Sequence, residues 1–145
     1  MLTSGKVAAQ LNGAIVGVVV AHGLFDMQLL QASTTLRTGG AQWFAEGIAT
    51  VGLVVAILGT LRWGTKIAAA SVGLYITAAY WFTASTSFAI PAVTVGRMLT
   101  DTFSGILPLH APAFVVAQFA GAIVAVAVIG WLMPAPAVNV TETAE

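Results

Sequence analysis

The sequence predicts an all-α membrane protein, an incomplete bundle of four transmembrane helices and one re-entrant half-helix. Three observations carry this. Hydrophobic residues make up 59% of the 145 residues and charged residues only 7%, with a mean hydropathy of +0.96, whereas a soluble domain carries about 25% charged residues. Four stretches approach the ~20 apolar residues that a membrane helix needs. The first and last of these stretches also repeat one another.

Taken in order, the spans fall at about 7–25, 43–61, 67–82 and 113–133, within one transmembrane domain over 1–133. "LQASTTLRTGG" and "RWGTK" separate the first three. The segment 134–145, "PAPAVNVTETAE", is polar and proline-broken, and such composition predicts a disordered tail. Residues 1–23 loosely fit a signal peptide, but Gln10 and Asn12 interrupt the apolar run.

The region 67–99 cannot be one helix. Its 33 residues would measure about 50 Å at 1.5 Å per residue, against a hydrocarbon core of about 30 Å. "TASTS" at 83–87 supplies a polar break, and Pro91 suits the first turn of a new helix, where its missing N–H leaves no bond unmade. The following stretch, 91–102, gives about 18 Å of helix, too short to cross. Asp101, Thr102, Ser104, Gly105 and Pro108 close it off. A re-entrant half-helix is the reading that fits, because irregular backbone at membrane depth must be buried in protein or line a watery cavity.

The repeat is specific. "AAQLNGAIVGVVV" at 8–20 matches "VAQFAGAIVAVAV" at 116–128 at eight of 13 positions. If 91–102 does not cross, these spans run in opposite directions, as in the inverted repeats of channels and transporters. Gly13 and Gly17 offer a close-packing face. With the N-terminus in the cytoplasm, Lys6, Arg62 and Lys66 lie inside and Arg37 and Arg97 outside, a small positive-inside bias.

Composition excludes several functions. The net charge is zero and no basic cluster exists for nucleic acid. There is no cysteine, which removes disulfides and thiolate metal sites. Two histidines and five scattered carboxylates give no metal set, cofactor site or nucleophile–base pair, so an enzyme is not expected. His22, Asp26 and His110 fall at span ends and read as interfacial; Trp43, Trp63, Trp81 and Trp131 read as belt anchors. Glu46, inside the second span, is a functional candidate because an intramembrane carboxylate is costly. Its natural work is to accept hydrogen bonds from unpaired N–H groups of a re-entrant loop. A half-helix starting at Pro91 carries a partial positive charge of roughly half an electron at its N-terminus. Near the midplane that end repels cations and orients polar neutral molecules, with the carbonyls of 85–89 as acceptors beside it. Arg97 shares a face with Val93 and can reach a pore mouth or snorkel to the headgroups.

These stretches resemble the major intrinsic protein family, the aquaporins and glycerol facilitators. "AEGIATVGLVVAI" at 45–57 is similar to the family's glutamate-bearing repeat-start helix, and "TSFAIPAVTVGR" at 86–97 to its Asn-Pro-Ala pore loop. "FVVAQFAGAIVAVAV" at 114–128 is similar to its final span. The order matches the family's third to sixth spans, so the first two spans and first pore loop have no counterpart. The resemblance implies an aquaporin-like fold and passive flow of water or small neutral solutes, such as glycerol-like polyols or metalloid hydroxides. It implies a tetramer-like homo-oligomer in the lipid bilayer, or a complementary amino-terminal half-channel, in a bacterial-type plasma membrane. Ile90, Pro91 and Ala92 then form the pore motif, with Ile90 in place of the asparagine donor. Val93 stands where many members have a selectivity arginine. The region of Val93, Arg97, Thr77 and Ala78 would set selectivity, and Glu46, Ser85, Ser87 and Phe88 would support the loop. The alternative is a non-conducting scaffold or degenerate channel remnant.

Overall fold

The computed structural model describes residues 2–133, with side chains from residue 4 onward; the predicted tail lies outside the described residues. Five α-helices carry the fold: α1 (Leu2–Leu24), α2 (Gly40–Leu61), α3 (Thr65–Phe82), α4 (Pro91–Arg97) and α5 (Ala111–Leu132), the last entered through a 3-10 turn at Pro108–His110. No strand occurs among the described residues. α2 and α3 each start after a glycine, Gly39 at φ 107° and Gly64 at φ 106°. That extended, positive-φ backbone is essentially closed to other residues, so the two glycines set where the chain turns into each helix.

Among the described residues three helical stretches are long and apolar enough to cross a membrane: Ser4–Leu24, Gly40–Leu61 and Pro108–Leu132. The expected third span is helical as α3 but is not among them. Lys66 and the ring residues Tyr75, Tyr80 and Trp81 lower its apolarity.

The distribution of polarity is inverted relative to a soluble domain. Trp81, Trp131, Leu74, Ile123 and Phe119 are all exposed, whereas Glu46, Ser85, Thr94 and Gln118 are buried. An apolar exterior around a polar, hydrogen-bonded interior is the arrangement that lipid stabilises and water does not. This is an integral membrane protein.

Close packing explains the helix order. α2 packs against both α3 and α5, and α4 packs between α1 and α5. Gly121 lets α5 approach α2, since a Cβ there would stand 2.5 Å from the Gly47 carbonyl oxygen. Gly96 does the same for α4 on α1, where a Cβ would lie 3.3 Å from the Ala14 oxygen.

One boundary differs from expectation. The sequence predicts a half-helix over 91–102, but α4 ends at Arg97. The carbonyls that would carry the helix onward are taken by other segments. Arg97 O accepts from Ile106 N–H at 3.1 Å, and Met98 O accepts from Ser33 N–H at 2.9 Å. Tertiary hydrogen bonds therefore stop the helix before its local sequence would.

Candidate functional site

Three of the four non-glycine residues with positive φ among the described residues lie in the segment between α3 and α4. Thr83 leaves α3 in extended conformation, and its hydroxyl bonds back to Ala79 O at 2.7 Å. Thr86, Ser87 and Ala89 then adopt left-handed backbone, with φ of 59°, 45° and 58°. Non-glycine residues there cost about 1–3 kcal/mol each and persist only when surroundings over-determine them. Ile90 returns to extended backbone and caps α4, with Pro91 in the first turn.

The surroundings are specific. Glu46, fully buried on α2, accepts from Phe88 N–H at 3.2 Å through Oε2 and from Ala89 N–H at 2.5 Å through Oε1. Those two amides have no helical partner because the chain turns through left-handed residues on either side. Gln118, buried on α5, donates through Nε2 to Glu46 Oε1 and to Thr94 Oγ1, both at 2.8 Å. The Thr50 hydroxyl lies 3.0 Å from Glu46 O and 3.3 Å from Ala89 O. One carboxylate thus ties the loop to α2, and one carboxamide ties that carboxylate to α4 and α5. Gln118 is a site residue that sequence reasoning misses. Its signal was there, because a glutamine in a strongly apolar span needs buried partners as a carboxylate does.

Arg37 holds the loop from the opposite side. It arises from the segment 25–39 and is 6% exposed, although its place in the sequence marks it only as a charge that sets orientation. Its Nε donates to Gly105 O at 2.7 Å, Nη1 to Ser85 O at 3.1 Å and Nη2 to Phe103 O at 2.5 Å. Burial pushes this guanidinium below its ordinary pKa, partly opposed by Tyr80 and Glu46. Its own amide N–H donates to His110 Nδ1 at 3.2 Å. Neighbouring chain is laced in the same way: Asp101 accepts from Thr34 N–H and Oγ1–H at 2.8 and 2.9 Å, which lowers the pKa of its exposed carboxyl.

Arg97 bends back from the end of α4, with Nη1 3.0 Å from both Thr86 O and Thr86 Oγ1. Its guanidinium stands 4.2 Å from the Phe88 ring centre and Arg37's stands 5.4 Å away. Both are within reach of a cation–π attraction. Phe88 also packs on Phe114 at 5.1 Å, and Val93 joins this cluster with Ile106.

The remaining sequence-predicted residues are dispersed. Ile90 packs half-buried against the cluster of Ala49, Leu53 and Ala89, and Ala92 is buried. Thr77 and Ala78 are exposed on α3. Thr77 bonds within its own helix, to Gly73 O at 2.8 Å, and among the described residues neither shares a hydrogen bond or core cluster with Val93 or Arg97. Ser85 and Ser87 are buried with unpaired hydroxyls. His22, expected at the end of its span, is covered by protein. It is 2% exposed, with Nδ1 3.0 Å from Leu29 O and Nε2 2.9 Å from Thr100 Oγ1. Helix-end position made it look peripheral, but the loop after α4 covers it. Among the described residues no group of three or more His, Asp or Glu could hold a metal.

Ser87 combines left-handed backbone with a buried, unpaired hydroxyl. Ser87→Gly removes both penalties and is expected to stabilise the chain by about 1–2 kcal/mol, read as a higher melting temperature in detergent.

The chain is 53% identical over 127 residues to the aquaglyceroporin AqpS of Rhizobium meliloti (strain 1021). The match covers 88% of this chain and 54% of that protein, so the chain spans about half the length of the curated relative it matches. No protein-family model and no solved structure matches the chain.

Proposed function

From the premise that this chain is related to the major intrinsic protein family, we propose that it forms part of a channel for passive transmembrane flow of water or small neutral solutes, among them glycerol-like polyols and metalloid hydroxides. In this reading α3 is the fourth span. The segment 83–90 with α4 is the re-entrant pore loop, and Ile90, Pro91 and Ala92 are its motif. Glu46 braces the loop, with Ser85, Ser87 and Phe88 shaping it and Val93, Arg97, Thr77 and Ala78 near the filter. The N-terminus is cytoplasmic, in a plasma membrane. A second polypeptide completes the pore, either an amino-terminal half or a further copy within a tetramer-like assembly. No enzyme chemistry is assigned.

One observation carries the reading. In a relative of an aquaglyceroporin, a buried membrane carboxylate holds the amides of Phe88 and Ala89 immediately ahead of Pro91. A hydrogen-bonded loop of this kind presents carbonyls at fixed positions without any titrating group in the path, which suits neutral solutes.

A second reading, a non-conducting scaffold, is favoured by Ile90. Its side chain packs onto the apolar cluster around Leu53 and offers no donor. Glycerol-driven swelling of proteoliposomes separates the two, with the chain alone and with a co-expressed amino-terminal half. Rates no faster than those of empty vesicles in both preparations would remove the channel reading. Ile90→Asn is expected to raise glycerol or water permeability several-fold in conducting preparations, because an amide donor replaces an apolar branch in the path. An unchanged rate in correctly inserted protein would place residue 90 off that path.

A further inference from the structure

We infer that the cavity beside Arg97, about 640 Å³ between the end of α1 and the loop following α4, is a binding site for a small oxyanion held by the Arg97 guanidinium and the Thr102 and Ser104 hydroxyls. This goes beyond the neutral-solute reading and stands without it.

A hydrogen-bond census separates the two arginines of the site. Arg37 engages all three of its nitrogens with backbone carbonyls, which fixes it as a clamp. Arg97 uses only Nη1, and both of its bonds go to Thr86. Its Nε–H and Nη2 groups carry no hydrogen bond among the described residues, yet it lines the cavity. Guanidinium donors held in a fixed fork match the spacing of oxygens on an oxyanion.

Charge points the same way. Neither arginine forms an ion pair among the described residues. The nearby carboxylate, Glu46, is already engaged by two amides and Gln118. Asp26 and Asp101 flank the lining segments but are exposed to solvent, so Arg97 is the charge that lies unpaired against the cavity, where an uncompensated charge is costly.

The hydroxyls supply a further donor. Leu29 O can only accept, so His22 Nδ1 carries the proton toward it and Nε2 accepts from Thr100. With the Thr100 proton directed to His22, the 3.3 Å contact between Thr100 and Thr102 can be held only with the Thr102 hydroxyl as donor, a long bond that an anion can displace. Thr102 and Ser104 share one hydrogen bond at 3.0 Å, which uses one of their two hydroxyl protons and leaves the other for a ligand. The ligand class is therefore a compact anion with several acceptor oxygens. A second cavity of about 250 Å³ shares Val18, Ala21 and Arg97 and runs along α1 and α4 past Val93. Arg97 stands where the two meet.

Inorganic phosphate is the probe. Melting of the full chain in detergent is measured in phosphate and in chloride at equal ionic strength, with glycerol as a neutral control. A ligand that binds the folded state raises the melting temperature with its concentration, so phosphate is expected to raise it and chloride and glycerol are not. Arg97→Gln is expected to abolish the shift. That variant also releases Thr86, so Ser104→Ala, which touches only Thr102, provides the second test. It is expected to weaken phosphate by about tenfold, as loss of a hydrogen bond to a charged group does. Absence of a phosphate shift, an equal shift with glycerol, or a shift unchanged in both variants overturns the proposal. The readout requires no flux, so its failure is distinct from failure of the channel reading.

Discussion

Glu46→Ala is expected to destabilise the folded chain by about 3–5 kcal/mol, the range found when one partner of a buried charged interaction is removed. Three donors converge on this carboxylate: the amides of Phe88 and Ala89 and the carboxamide of Gln118. Only Gln118 has another acceptor, Thr94. Each abandoned buried donor costs about 1–3 kcal/mol, and the left-handed residues beside them lose what holds them in that conformation. Glu46→Gln is expected to fall between wild type and alanine. Its carbonyl oxygen still accepts, but its NH₂ group faces a donor where an oxygen stood. Thermal unfolding in detergent reads both variants. If alanine shifts the melting temperature no more than a surface substitution does, the loop holds itself and the carboxylate is not its support.

Arg37→Ala is the other large effect, about 2–4 kcal/mol. Hydrogen bonds from a charged donor contribute about 1.5–3 kcal/mol each, and three are lost. The net is smaller than their sum because the freed carbonyl of Phe103, an exposed residue, lies where water can reach it. The consequence is local as well as global. Ser85, Phe103 and Gly105 belong to two separate segments, and among the described residues only this side chain bonds to both. Limited proteolysis is therefore expected to open the stretch 98–107 in the variant while the helices stay resistant. Arg37→Lys is expected to rescue only part of the loss, since one ammonium cannot occupy three directions of a planar fork. Full rescue by lysine would mean that charge, not fork geometry, holds the segments together.

Some of this was legible in the sequence and some was not. Length arithmetic requires a break between 67 and 99, and Pro91 marks a helix start from local chemistry alone. Glu46 is conspicuous because a carboxylate in an apolar span demands partners. What the sequence does not carry is where those partners come from. Arg37 looks like an ordinary loop charge, and nothing within ten residues of it reveals that its three acceptors lie at 85, 103 and 105. His22 looks like a helix-end residue until the chain returns 78 positions later with Thr100. The end of α4 shows the same limit. Local composition favours continuing to Thr102, but Ser33 and Ile106 claim the carbonyls that the next turn requires. In each case the missing information is a polar contact between distant segments, which periodicity and propensity do not record.

The bonding around Glu46 also imposes an order of events on biogenesis. Phe88 lies 42 residues after the carboxylate and Gln118 lies 72 after it. At about 5–20 residues per second, the last of these partners is synthesised roughly 4–14 s after Glu46 itself. Until Phe88 and Ala89 emerge α2 exists with its carboxylate unanswered by the protein, and the bonding around Glu46 is not complete until α5 supplies Gln118. Truncation before residue 88 therefore strands the α2 carboxylate, truncation between 89 and 118 leaves it without Gln118, and a nascent chain arrested in this window is the form that quality-control machinery would meet.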